Sequence, residues 1–313
     1  MAALLLVRYG ELALKSAPVR REFEATLRRN IVQQFLHAGL ALQLRSDRGH
    51  LYAEVDDPEE GCRILRRVFG VTSVSVAHEV PTERGALRAA LLELASPRLS
   101  PGVSFAVRAR RTGTHDFTSQ ELARDLGSDV LEAFPDRRLH VDLRTPTVEL
   151  FVEVRGPRTY LYFDRTRGPG GLPLGVAGRL VALVDGERGA LGAYLMMKRG
   201  CRVALLRPPA AAPLVDGLLR RFDPGVRIQE LAEVPESWSA ALGAAVASLH
   251  ADGVVLPLAV EQYPDARATW GEVVVFSPTV GLGDDEVGAR WSEIADLAGA
   301  PDAVAAGPGQ RQG

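Results

Sequence analysis

The chain is poor in the residues from which most reactive sites are built. It has two cysteines, Cys62 and Cys201, far apart and in neither a metal-ligand spacing nor a disulfide framework, so no metal site is expected. His250 is isolated, and no Cys-His or Ser-His-Asp arrangement offers a nucleophile. Lysine is nearly absent: Lys15 and Lys198 apart, the 37 basic residues are arginines. Such a bias reflects codon usage as readily as selection for phosphate contacts, so charge alone decides little and the placement of particular arginines has to carry any argument. No apolar run approaches the roughly 20 residues of a membrane span. The N-terminus lacks the basic flank and cleavage site of a signal peptide, so the expectation is a cytoplasmic protein with no membrane partner.

What is present is ordinary globular material. The 313 residues, 46% hydrophobic and 24% charged, suffice for two or three domains with real cores. The net charge of −2 is unevenly placed. Residues 1–171 hold 25 basic against 22 acidic side chains, and residues 172–313 hold 12 against 17. A polyanion partner therefore belongs to the N-terminal half.

The stretch from Arg179 to Leu206 reads as a strand, a helix and a second strand. Leu180 to Val184 is a short buried-type apolar run, Ala190 to Arg199 a helix, Gly200 its stop, and Cys201 to Leu206 a second apolar run. In such units the first loop holds a phosphate on glycine amides at a helix N-terminus. Here that loop is Asp185-Gly186-Glu187-Arg188-Gly189, with two carboxylates and no Ser, Thr or Lys. The scaffold of a nucleotide site is present without its chemistry.

The first module opens with a strand, Ala3 to Tyr9, ending in Arg8-Tyr9-Gly10-Glu11. A loop carrying Lys15 leads to a helix from Pro18 to about His37, with Phe23, Leu27, Ile31 and Phe35 on one stripe. The other face offers Arg20, Arg21, Arg28 and Arg29, a charge run that by default is a solvated face. Strands at 41–45 and 50–55, a helix at 59–69 and a strand at 72–80 complete a β-α-β-β-α-β order, that of a ferredoxin-like module. A second module follows: a helix at 82–95, the strand Val103 to Arg110, a helix capped by Thr118 or Ser119, and a hairpin of 147–155 and 159–165. The exit of its first strand gathers Arg108, Arg110, Arg111 and His115 around Gly113, the best polyanion site in the sequence. Asp116 and Glu121 stand close enough in sequence to neutralise one or two of them. Gly- and Pro-rich residues 168–175 read as a linker. Beyond it, strand-like runs at 253–260 and 271–276 and a helix at 284–297 with an acidic first turn continue the α/β alternation, and 299–313 reads as a tail. Trp238, Trp270 and Trp291 read as core or interface anchors rather than base-stacking residues.

These residues carry a resemblance. RYGELALKS at 8–16 and the Arg-rich helix after it resemble the N-terminal ferredoxin-like domain of the tRNA 4-thiouridine synthase (ThiI) family. SFAVRARRTGTHDFTSQEL at 104–122 resembles that family's THUMP domain, and GGLPLGVAG with YLMMKRGCRV the entry to its PP-loop ATP pyrophosphatase domain. The implied architecture is multidomain, α+β then α/β. It comprises a ferredoxin-like domain at 1–80, a THUMP domain at 81–167, a linker at 168–175, a Rossmann-like PP-loop domain with a parallel sheet at 176–298, and the tail. The resemblance further implies that the first two domains hold the acceptor end of tRNA. It points to Arg108, Arg110, Arg111, His115, Arg8 and Lys15 as nucleic-acid contacts, with Glu11 orienting a basic neighbour, and Arg21 and Arg28 of the Arg-rich helix are expected to bind beside them. In the family the third domain adenylates a uridine and sulfur arrives through a persulfide.

The chain departs from that pattern at the reactive positions. Aligned back from Tyr194, the family's Ser-Gly-Gly-x-Asp-Ser falls on Val184, Asp185, Gly186, Glu187, Arg188 and Gly189, of which one glycine survives. An acidic residue has become Arg188, for which the flanking Asp185 and Glu187 are the expected partners. Cys201 reads as a small buried hydrophobe, Cys62 as structural, and no cysteine follows Cys201. The expectation is a tRNA-binding protein with a degenerate nucleotide loop, no catalytic residue and no cofactor. It would present tRNA to a separate catalytic or sulfur-donor protein, or compete for tRNA. The alternatives are an active ATP-dependent tRNA sulfurtransferase completed by a partner chain, and a protein–protein adaptor without RNA affinity. Oligomeric state stays open.

Overall fold

The computed structural model describes residues 3–10, 16–47, 49–231, 238–262, 264–265 and 273–299. Expectations resting on Glu11, Lys15, Trp270, the start of the 271–276 strand and residues 300–313 lie outside these.

The first nine strands are β1 (Ala3–Tyr9), β2 (Gln43–Asp47), β3 (His50–Val55), β4 (Val71–Pro81), β5 (Ser104–Thr112), β6 (His140–Val141), β7 (Val148–Arg155), β8 (Arg158–Tyr162) and β9 (Thr166–Arg167). They run in the order β2-β3-β1-β4-β8-β7-β5-β6, with β9 on β4. The β2-β3-β1-β4 part, with α1 (Ala17–His37) and α2 (Pro58–Leu65), is the ferredoxin-like arrangement. Three of the four stripe residues of α1, Leu27, Ile31 and Phe35, are fully buried. Packing contacts divide the chain into two compact units. One holds Met1–Leu6, Tyr52–Pro58 and Ser75–Thr166; the other holds Val7–Leu51, Glu59–Val74 and Arg167–Gly313.

Within the first unit, α3 (Arg84–Ala95) and α4 (Ser119–Ala133) cover one face of the sheet. Leu87, Leu91, Leu122, Leu126 and Val130 meet Phe105, Val107, Leu150, Val152 and Leu161 there, a core dictated by period 3.6 on the helices and period 2 on the strands. The alternate strand residues, Arg108, Arg110, Phe151, Glu153 and Tyr162, are thereby turned to the opposite face.

The second unit ends in a five-stranded sheet, order β12-β11-β10-β13-β14, in which every pair is parallel. Its strands are β10 (Ala177–Leu183), β11 (Cys201–Arg207), β12 (Ile228–Glu230), β13 (Gly253–Val255) and β14 (Val274–Phe276). The order reverses between β10 and β13, which is where a doubly wound sheet opens its ligand crevice. Helix α5 (Glu187–Lys198), the helical stretch α6 at residues 212–222 and α8 (Asp284–Ala298) pack on one face against Leu180, Ala182, Val203, Leu205 and Val255. Helix α7 (Trp238–Leu249) packs on the other against Val181, Leu183, Leu206 and Val254. Both described tryptophans are core-side as expected, Trp291 buried and Trp238 packed at the edge of the α7 core. The helix stop at Gly200 has φ +91°, open to glycine and strained for other residues.

Residues 168–175 are no slack tether. Gly70 N–H donates to the Gly170 carbonyl (2.8 Å), Gly170 N–H to Val71 (2.8 Å), Leu172 N–H to Lys198 (2.9 Å) and Gly175 N–H to Gly200 (2.8 Å). In the same unit the Gln34 side-chain amide of α1 caps the carbonyls of Arg221 (3.1 Å) and Phe222 (2.9 Å) at the end of α6, and Phe69 packs against Tyr194 and Phe222. Phe69, just after α2, thus joins the core of the C-terminal sheet, a buried aromatic contributing on the order of 2–3 kcal/mol.

Candidate nucleic-acid interface

The site grows from an unfinished sheet edge. Strand β6 pairs with β5 only at Ser104 and Phe105, and it ends the sheet. On that side the Val103 and Phe105 carbonyls accept from the His140 and Asp142 amides. Since backbone groups alternate in direction along a strand, those of Val107, Ala109 and Arg111 face the same way, and no strand covers them among the described residues. Helix α4 stands off this edge, leaving a groove of about 850 Å³.

The groove wall combines cations with apolar surface. Arg108, Arg110, Arg124 and Arg165 line it, together with Phe151, Gln120 and Ser128. Leu131, Val141 and Leu143 add 39%, 49% and 62% exposed apolar surface at one end, more than a core-forming Leu or Val leaves in water. Asp142 folds the loop that presents Leu143 by accepting from the amides of Arg144 (2.8 Å) and Thr145 (3.0 Å), and these bonds hold its carboxyl below the usual range.

Of the arginines expected at the strand exit, Arg108 and Arg110 are brought together here. Arg108 is braced by Glu149 (2.9 Å) and the Leu143 carbonyl (2.7 Å). The Arg110 side chain is exposed, with no hydrogen bond or ion pair among the described residues. Arg111 and His115 lie outside the groove: Arg111 donates to the Gly113 carbonyl (3.1 Å), and His115 contacts the Thr112 carbonyl (3.2 Å) and stacks on Phe117. Neither Asp116 nor Glu121 neutralises Arg108, because Glu121 is spent in a capping box. Its carboxylate accepts the Thr118 amide (2.8 Å), which lowers its pKa, and Thr118 Oγ1 accepts the Glu121 amide (3.1 Å).

Sequence reasoning missed Arg124, Arg165 and Phe151. Arg165 lies 4.4 Å above the Phe151 ring and donates to the Tyr162 hydroxyl (2.9 Å), while Phe151 and Tyr162 stack at 5.0 Å. The alternation of Val148–Arg155 placed Phe151 on the Arg108 face; nothing local signalled that Arg165 returns to it. Arg8, Arg21 and Arg28 belong to the other unit. Arg28 is occupied by Ser46 Oγ (3.0 Å) and the Leu44 carbonyl (3.4 Å), so it braces β2. Arg21 is exposed, and Arg8 is partly buried with its carbonyl accepting from Thr72 (3.0 Å).

At the crevice of the C-terminal sheet, α5 begins at Glu187, so Glu187, Arg188 and Gly189 are helical rather than loop. The expected pairing of Arg188 with Asp185 and Glu187 is not formed. Arg188 reaches instead to the Thr279 carbonyl (2.9 Å) and Asp284 (2.7 Å), because side chains at i and i+1 on a helix do not face each other. Val184 is fully buried in the sheet core. Asp185 is pushed up by the packing around its carboxyl, against bonds from its own and the Gly186 amides. A Cβ on Gly189 would stand 2.5 Å from the Leu183 carbonyl oxygen. Burial raises the thiol of Cys201 and pushes Cys62 up to about 11, so neither is a ready thiolate. Among the described residues no cluster of His, Cys, Asp or Glu could hold a metal ion, and no helix is long and apolar enough to cross a membrane.

Comparison with known proteins falls on the same elements. Residues 4–75 match the ThiI ferredoxin-like domain and residues 85–164 the THUMP domain. A probable tRNA sulfurtransferase of Methanothermobacter thermautotrophicus is 39% identical over 206 residues, 64% of this chain and 51% of that protein. The tRNA sulfurtransferase of Pyrobaculum aerophilum is 37% identical over 208 residues, 65% of this chain and 41% of its own length. The chain thus aligns with about half the length of these relatives. Among solved structures, a Pyrococcus horikoshii protein is 25% identical and matches with a TM-score of 0.79 over 94% of this chain and 99% of that one. A 4-thiouridine synthetase solved with RNA and ATP matches in fold at 21% identity, TM-score 0.75, over 95% and 86%. The chain thus carries a ThiI ferredoxin-like domain and a THUMP domain, and over about two thirds of its length it resembles tRNA sulfurtransferases.

Proposed function

We propose that the chain binds the acceptor end of tRNA through its ferredoxin-like and THUMP domains and does not itself adenylate or thiolate it. The observation that carries the binding part is the open edge of β5 above a groove with four arginines. Unpaired backbone donors and acceptors, an Arg165–Phe151 stack and flanking guanidiniums suit a single strand, whose bases present free edges and faces. A duplex would bury its bases away from these groups. The names of the relatives, which are tRNA sulfurtransferases, agree with tRNA as the partner.

The loss of catalysis is supported by the crevice residues. Arg188 ties the start of α5 to Asp284, Val184 is buried, and Gly189 is packed on a carbonyl. An anionic triphosphate would meet the carboxylates of Asp185 and Glu187 there. On this reading the protein needs no ATP, and it delivers tRNA to a separate catalytic or sulfur-donor protein or withholds it from one.

Fluorescence anisotropy with an acceptor-stem minihelix tests the binding reading. The form with an unpaired 3′ extension should bind about tenfold more tightly than the blunt form, as two stacked or edge-paired bases would give. Equal affinity would remove the single-strand reading, and no affinity would leave the adaptor. For the catalytic part, saturable tRNA-dependent release of pyrophosphate from ATP would restore the sulfurtransferase alternative.

A further inference from the structure

We infer that the second compact unit holds a separate phosphate-binding site, in the cleft that Arg66, Arg167, Tyr194, Lys198 and Arg290 surround. This inference stands whether or not the N-terminal domains bind tRNA.

The cleft lies where the turn after α2 and the end of β9 meet α5 and α8, all within one unit, and it encloses about 500 Å³, the size of a small-molecule site. The side chains of Arg66, Arg167 and Arg290 form no hydrogen bond or ion pair among the described residues. Arg66 Nε is buried as well as unpartnered. A desolvated guanidinium nitrogen left without an acceptor is unfavourable, and an incoming anion would supply one.

A second observation comes from the floor. Tyr194 is only 3% exposed, yet it lines the cleft and its hydroxyl has no partner among the described residues. Burial holds this phenol well above its ordinary range, so it remains a neutral O–H donor at any working pH. The open donors therefore comprise three planar guanidiniums and one hydroxyl, with Lys198 on the lining, around a space with apolar walls from Leu191, Leu195 and Ile294. Glu293 and Asp296 share the rim and reduce its charge from four cations to a net two, which matches one phosphate group rather than a dense run of them. That group can arrive on an RNA backbone or as free phosphate on a small molecule.

The test uses the full chain and two probes: inorganic phosphate in equilibrium dialysis, and a single-stranded RNA in filter binding. Saturable uptake of one phosphate per chain is expected. Tyr194→Phe should weaken it about threefold, and Arg66→Gln with Arg167→Gln at least about tenfold, as loss of one neutral and two charged hydrogen bonds implies. Arg84→Gln, in the other unit and outside the groove of β5, should leave phosphate uptake unchanged. A parallel fall in RNA affinity for the Arg66/Arg167 variant would identify RNA as the source, and an unchanged RNA affinity a free phosphate ligand. Should the double variant not fold, Arg290→Gln replaces an exposed side chain and should still weaken uptake. Absence of saturable uptake, or equal uptake by wild type, Tyr194→Phe and Arg290→Gln, would overturn the site.

Discussion

Arg188 Nη2 donates to Asp284 Oδ1 at 2.7 Å and so joins the first turns of α5 and α8, 96 residues apart in sequence. A cation at a helix N-terminus opposes the helix dipole, whereas Asp284 favours its own. The pair, with the Thr279 carbonyl, offsets the misplaced charge of Arg188 and ties the start of α5 to that of α8.

Reverting that loop residue by residue should therefore fail. Gly189→Ser supplies the hydroxyl that a phosphate loop would use, but its Cβ falls 2.5 Å from the Leu183 carbonyl and 3.0 Å from Val184 Cα, both backbone. The expected result is destabilisation of about 1–3 kcal/mol in urea unfolding, with no gain of ATP binding by calorimetry. A stable Gly189→Ser protein that binds ATP would show the crevice to be intact.

How far the sequence disclosed this arrangement depended on the range of each interaction. The strand, helix and strand around Gly200, a cap at Thr118 or Ser119 and the stripe Leu27, Ile31 and Phe35 were legible, since each is decided within a few residues. The partners of Arg108 and Arg188 were not, because Glu149 and Asp284 lie 41 and 96 positions away and nearer carboxylates competed on paper. Residues 168–175 have the composition of a linker, yet their amides are absorbed by Val71, Lys198 and Gly200. Composition reports which backbone angles are allowed, not which carbonyl will be met.

Gln34→Ala should loosen the second unit as a whole. The amide satisfies the carbonyls of Arg221 and Phe222 from inside a buried contact. A loss of about 1–3 kcal/mol is expected, with hydrogen exchange quickening in both α1 and α6. Faster exchange in α1 alone would mean that the two do not unfold together.

Asp223 sets a pH dependence of known sign. Burial raises its carboxyl, against the Arg202 guanidinium and the Gly225 amide. A folded-state pKa above the unfolded value of 3.8 makes its contribution complete below that value and lost as pH rises through the folded pKa. Asp223→Asn should remove this loss, so urea midpoints of wild type and variant diverge as pH rises from about 4 toward 7, with the variant the more stable. Parallel midpoints would mean that the charged form is fully compensated.

Arg108 and Arg110 share one face of β5 two residues apart, yet their removal should read differently. Arg110 has no partner among the described residues, so Arg110→Ala takes away only what the groove offers to a ligand. Affinity for tRNA should fall about tenfold, the slope of log affinity against log salt should drop by about 0.7–0.9, and stability should stay within about 0.5 kcal/mol. Arg108 also carries Glu149 and the Leu143 carbonyl. Arg108→Ala leaves that carboxylate unpaired beside the RNA path, so affinity should fall further than the lost cation explains, and Arg108→Ala with Glu149→Gln should recover part of it. Anisotropy across a salt series, with thermal unfolding of each variant, separates the two. Equal slopes for wild type and Arg110→Ala would place the phosphate path elsewhere on the protein.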